Sequence, residues 1–210
     1  MVLPEPFTTA SPVNASFDFS DIRSGTGMQT YYLFDSVTSA GTDEHLGETA
    51  VYSDNTAKSI EGTGGALSKD SDKDFDLTIL NMPQNIQGTA LIQMPYAYEI
   101  TNGTGTGTIY MVCRVKKNDV EIGSVQSESI TATTAVTGKG VWLLPVVIPY
   151  THFEVGDVLR LTVELWATSD GGESCYFAYG IDPIDRALVY HTQTFTTTTS
   201  KIFIPYKMDI

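Results

Sequence analysis

Residues 151–166 read Thr-His-Phe-Glu-Val-Gly-Asp-Val-Leu-Arg-Leu-Thr-Val-Glu-Leu-Trp, and this stretch decides the fold. Phe153 to Asp157 has the composition of a tight approach turn, and Val158 to Trp166 follows as a strand. Within that strand Leu159, Leu161, Val163 and Leu165 alternate with Arg160, Thr162 and Glu164. A period of two places one set on a dry face and the other on a wet face. The pattern predicts an all-β, antiparallel, jelly-roll-like β-sandwich fed by alternate residues, and it names no chemistry.

Working outward, the 210 residues suit one such domain, and 41% hydrophobic with 18% charged residues is an ordinary globular balance. A chain of this size buries enough surface to fold without disulfides or metals. The formal net charge of −13 repels phosphate backbones and anionic headgroups, so neither nucleic acid nor membrane is expected as a partner. Met1 to Phe7 lacks a basic region followed by an apolar run, and no stretch approaches a membrane span in length. Synthesis as a soluble chain in the cytoplasm is the expectation.

Residues 1–14, with Pro4, Pro6 and Pro12, read as an extended N-terminal arm, and 15–210 as the single sandwich domain. Strands are expected at Met28–Asp35, Thr49–Ser53, Phe75–Leu80, Ile86–Ile100, Ile109–Val115, Val141–Tyr150, Cys175–Tyr179, Ala187–His191 and Ile202–Tyr206. Pro145 and Pro149 cannot donate to a ladder and mark Val141–Tyr150 as an edge or bulged strand. Lys116-Lys117-Asn118-Asp119 is a hairpin turn. Asp43–Glu48 reads as a charged loop, Gly138-Lys139-Gly140 as a turn and Asp170-Gly171-Gly172 as a hairpin loop. The polar run from Asn55 to Asp74 reads as a long loop that reaches a partner.

No catalytic, cofactor-binding or metal-binding residue is assigned. His45, His152 and His191 are dispersed and lack ligand spacing. Gly103, Gly105 and Gly107 mimic a nucleotide fingerprint, but a strand follows where a helix N-terminus is needed, which leaves a hairpin loop. Asp70, Asp72 and Asp74 alternate as calcium ligands do, yet lack the glycine and glutamate of an EF-hand loop. Paired carboxylates for glycoside hydrolysis cannot be recognised without their separation. Cys113 and Cys175 read as buried thiols. Trp142, Trp166, Tyr176 and Tyr179 suit the core or a subunit interface, with an aromatic platform for a glycan as the alternative.

Several stretches together resemble the structural proteins of tailed bacterial and archaeal viruses. They are Asp21-Ile22-Arg23-Ser24-Gly25-Thr26-Gly27 leading into Thr30-Tyr31-Tyr32, then Phe153 to Glu164, Gly180 to Arg186 and Lys201 to Tyr206. The resemblance implies a non-enzymatic virion protein, such as a capsid decoration or cement protein, or a neck or tail accessory. It would bind major capsid or other virion proteins as a homo-oligomer, a trimer being favoured. On that view Asp157 caps its turn and Arg160 lies on the wet face.

Overall fold

The computed structural model describes residues 26–38, 41–77, 80, 82–101 and 105–207. The expected arm at 1–14 lies outside them. Twelve strands follow one another: β1 (Thr26–Thr38), β2 (Gly41–Gly47), β3 (Ala57–Leu77), β4 (Gln84–Ile100), β5 (Gly107–Lys117), β6 (Val120–Gln126), β7 (Ile130–Ala132), β8 (Val136–Phe153), β9 (Leu159–Gly180), β10 (Val189–Tyr190), β11 (Gln193–Thr194) and β12 (Lys201–Lys207). No helix occurs among the described residues. The fold is all-β and of the sandwich class.

The hydrogen-bonded order is β6-β5-β9-β3-β2-β1-β12-β4-β8, with β7 beside β5 and a further β4–β9 pairing that joins the two halves. Every pairing is antiparallel except a short parallel β2–β3 contact at His45–Leu46 and Asp76–Leu77. Strand β9 carries the alternation that decided the fold. Leu159, Leu161, Val163 and Leu165 are 0–1% exposed, and they meet Ile109, Met111, Cys113, Val115, Phe75, Ile92 and Met94 in one core. Outward-pointing Arg160 and Glu164 carry ion pairs instead. The approach turn is as read: Asp157 Oδ2 accepts the Glu154 amide at 2.7 Å, and Gly156 supplies a φ of +97°. Asn118 turns the β5–β6 hairpin with a φ of +54°.

Six local readings are corrected. The polar run Asn55–Asp74 is no loop, because Ala57 to Asp76 pairs along β9 from Gly180 to Arg160. Register shifts between Thr63 and Gly65, Gly65 and Ser68, and Lys69 and Ser71 break its period of two, so the alternation is invisible in sequence. Asp43–Glu48 falls mostly within β2, whose Leu46 is buried opposite Leu33. Thr49–Ser53 is irregular, because Ser53 is drawn inward to donate to Asp35. Gly138 and Gly140 lie inside β8, opposite Tyr98 and Tyr96. The tyrosine hydroxyls fill the space where a Cβ would sit, 2.6 and 2.8 Å away. Residues 170–172 continue β9. The connection ending at Gly107 is a crossover rather than a hairpin loop, since β5 pairs with β6, β7 and β9 and not with β4. Gly107 is required there by packing: a Cβ would come within 2.7 Å of Ile100 and 2.8 Å of the Cys175 sulfur.

The two layers present opposite outer surfaces. On β3, β5 and β9 the outward positions are charged and cross-linked. Arg160 grips Asp76 through Nε and Nη2 at 2.6 and 2.8 Å, and Arg114 holds Glu164 and Glu121 at 2.9 and 2.8 Å. On β1, β12, β4 and β8 the outward positions are mostly apolar, and Leu143 and Val147 stand 59% and 74% exposed.

Candidate functional site

Strand register brings Tyr176 of β9 between two carboxylates: Glu61 of β3 on one side and Glu99 of β4 on the other. The β10–β11 hairpin lies across this row, placing the His191 ring 3.9 Å from the Tyr176 ring. His191 Nδ1 is 3.9 Å from Glu99 Oε2, with the imidazole 35% and the carboxylate 23% exposed. Tyr190 packs its ring edge-on to His191 at 4.7 Å and donates its hydroxyl to the Ile60 carbonyl at 3.2 Å, which pins the hairpin to β3. His191 has a φ of +50°. It is the first of two residues linking β10 to β11, a position where a tight hairpin demands left-handed backbone. Non-glycine residues held in that region are uncommon and concentrate at functional sites.

The electrostatics fit proton exchange. The hydrogen bond from the Tyr176 phenol to Glu61 raises the phenol above its ordinary value, against a smaller opposing effect of Ser174. Burial raises Tyr190. Both phenols therefore keep their protons at neutral pH, and the Glu99 carboxylate stands 3.9 Å from the His191 imidazole. The set holds a proton donor, a proton acceptor and two carboxylates on a half-open surface.

The residues weighed in the sequence are scattered. Trp142 stacks on Tyr96 at 3.9 Å and meets Phe177 edge-on, on the inner side of β8. Trp166 stacks on Tyr110 at 5.8 Å and donates Nε1 to Glu164 at 3.0 Å, on the charged outer face. Tyr179 is fully buried. The four aromatics do not form one platform. Asp72 and Asp74 are held by Lys69 and Arg160, and Asp70 accepts from Ser68. His152 faces Asn85 and Glu154 at 2.7 and 3.2 Å, while His45 packs on Phe34. Cys113 and Cys175 are buried and share no disulfide, Cys175 Sγ donates to the Thr168 carbonyl at 3.3 Å, and burial pushes the Cys113 thiol up to about 12. Among the described residues no group of three or more histidine, cysteine or carboxylate side chains is arranged to hold a metal.

Two further networks are structural. Buried Asp35 accepts from Ser53 and Asn55 and pairs with Lys58 at 2.8 Å. Burial pulls its carboxyl up, yet the bonds from Lys58, Asn55 and Ser53 together bring it below the ordinary value. Asp182 holds Arg186 at 2.7 Å beside a recess lined by Leu188, Phe195 and Thr196–Thr198.

Sequence reasoning weighed Tyr176 and His191 apart and passed over Glu61, Glu99 and Tyr190. Register alone unites them. The sequence pattern predicts a strand through Ala187–His191, whereas β10 is only Val189–Tyr190 and His191 stands in the turn after it.

No known family profile matches this chain, and no curated protein is similar to it. A solved structure shares its fold. A CocE/NonD family hydrolase from Staphylococcus aureus superposes with a TM-score of 0.50 and 10% identity, over 87% of this chain and 37% of the hydrolase. An alpha-amino acid ester hydrolase gives a TM-score of 0.49 at 7% identity, over 85% of this chain and 36% of that one. The VP2 protein of infectious bursal disease virus gives a TM-score of 0.19. The chain thus spans about 37% of the length of the hydrolase it matches. The fold shared with a hydrolase over 87% of this chain overturns the expectation of a non-enzymatic virion or capsid decoration protein. The virion resemblance rested on short motifs, each of which is also what a turn or strand of any β-sandwich requires.

Proposed function

We propose that the chain takes part in hydrolysis of an acyl bond and that the Tyr176–His191–Glu99 patch is the surface that meets the substrate. The observation that carries this reading is the superposition of 87% of the chain on a CocE/NonD family hydrolase. The patch supplies the groups that such a reaction needs. His191 removes a proton from water as the oxygen attacks the carbonyl carbon, and Glu99 balances the imidazolium that forms. The same imidazole returns that proton to the departing oxygen when the carbon–oxygen bond breaks. Tyr176, its one hydroxyl proton donated to Glu61, offers the substrate its ring, against which the His191 imidazole lies. An activated ester is the substrate class whose leaving group asks least of these groups.

The test is hydrolysis of short-chain p-nitrophenyl esters by the purified protein, followed against pH. Turnover is expected to fall by about tenfold or more in His191→Gln, with the melting temperature unchanged. Absence of turnover above the buffer rate, or turnover indifferent to His191→Gln, would sink the reading.

A further inference from the structure

The apolar outer face is built in four rows across four strands. Cross-strand pairing sets Met28 beside Pro205, Thr30 beside Phe203 and Tyr32 beside Lys201. It continues Phe203 to Leu91 and Lys201 to Gln93, then Thr89 to Val147, Leu91 to Pro145, Gln93 to Leu143 and Pro95 to Val141. Directly opposed residues share a face, so these side chains form one surface. Within these rows Lys201 is the one charged side chain, its Nζ 5.9 Å over the Tyr32 ring, while Lys207, opposite Thr26, and Lys139 and Glu99, opposite Ala97 and Thr137, lie beyond the two ends of the rows. In a chain of net charge −13 that is a pronounced asymmetry. Met28, Val141, Leu143 and Val147 are 42%, 37%, 59% and 74% exposed, which a solvated sheet face does not call for.

We infer that this face is a homodimer interface and that its occupant is a second copy of the chain. The pattern is self-complementary. A two-fold axis running along the strands, between β12 and β4, lays β8 of each copy over β1 of the other. The aliphatic Leu143 and Val147 then meet the partner's Tyr32 and the partner's Met28, and Phe203 covers the partner's Leu91. Lys201 lands opposite the partner's Gln93, whose amide oxygen accepts from an ammonium, so the single charge is answered without a carboxylate. Strands about 4.8 Å apart and rows about 6.7 Å apart give a patch of roughly 500 Å² per copy. Two copies bury about 1,000 Å², the size at which a specific interface begins. The arrangement also holds the two charged faces on opposite outsides of the dimer, where their repulsion is least. An isologous contact of this kind is the commonest form of homo-oligomer.

Light scattering coupled to size exclusion, with sedimentation velocity over about a hundredfold range of concentration, reads the mass directly. The expected result is a dimer that becomes a monomer in the double variant Leu143→Asp, Val147→Asp. Both positions are solvent-exposed in the single chain, so the far-ultraviolet spectrum and melting curve are expected to persist. Val155→Asp, at a comparably exposed site in the turn after β8 (62%), should leave the dimer intact. A wild-type monomer at every concentration, a higher oligomer, or a dimer indifferent to the double substitution overturns the inference. None of these outcomes bears on ester hydrolysis, which is tested separately.

Discussion

Gly123 of β6 lies against Val147 of β8: a Cβ on Gly123 would fall 2.8 Å from the Val147 carbonyl oxygen and 2.8 Å from a Val146 methyl. These strands stand at the two ends of the hydrogen-bonded order, so the contact is the seam at which the rolled sheet meets itself.

Gly123→Val is therefore expected to lose about 2–3 kcal/mol, since the obstacle includes backbone that cannot turn aside. Gly140→Ala should cost clearly less, because its obstacle is the hydroxyl end of Tyr96, a movable ring. Urea unfolding of the two variants side by side checks the order. Equal losses would mean that the seam is soft.

Removing the buried acid of β1 tests the polar support under the core. Asp35 is 0% exposed and Lys58 is 13% exposed at its side chain, with Glu44 as the lysine's second partner at 3.0 Å. Asp35→Ala strips Ser53 and the Asn55 amide of their acceptor as well as breaking the pair, and about 3 kcal/mol of stability should go. Glu44→Gln, which leaves the Asp35–Lys58 pair in place, should cost well under half as much by the same urea measurement.

Acid should loosen the approach turn before it attacks the core. Lys117, then Asn118, then the Glu154 amide hold the Asp157 carboxyl at about 2, below the ordinary carboxylate value near 3.9. A group whose folded value is depressed contributes stability that is complete above its unfolded value and is lost as pH falls through the folded one. Melting temperature should thus climb between about pH 2 and pH 4, and Asp157→Asn should flatten that part of the climb. An unaltered slope in the variant would assign the acid response to other carboxylates.

Thiol chemistry should report global opening. Cys113 and Cys175 are 0% exposed, and Cys113 is held protonated by burial. Aromatic disulfide reagents are expected to label neither residue in native buffer and both in denaturant, with labelling at intermediate urea following the unfolding curve. Fast labelling in native buffer would point to local fraying of β9 if at Cys175 and of β5 if at Cys113.

What could be read in advance was whatever the sequence encodes locally. Leu159, Leu161, Val163 and Leu165 announce their strand by themselves, and Asn118 its hairpin, because one short window holds all the information. Strand β3 was hidden because its ladder is furnished by β9, about a hundred residues later, and its bulges scramble the alternation. Its aspartates look like a solvated loop until Arg160 and Lys116 are set across from them. The Glu61–Tyr176–Glu99 row was unreadable for the same reason, its members meeting only through register. At 10% identity a shared fold leaves too few common residues to notice, so turn and strand motifs suggested a virion protein that the comparisons do not support.

The first described strand, β1, has the last strand, β12, as one of its two neighbours, and β3 must wait for β9. During synthesis, then, β3 lacks its ladder until residue 180 has left the ribosome, and β1 lacks its β12 neighbour until residue 207 has. Over that interval the apolar rows stay uncovered, and pairing between strands so far apart in the chain is slow. Low temperature and unhurried translation should raise its soluble yield more than any change at the surface.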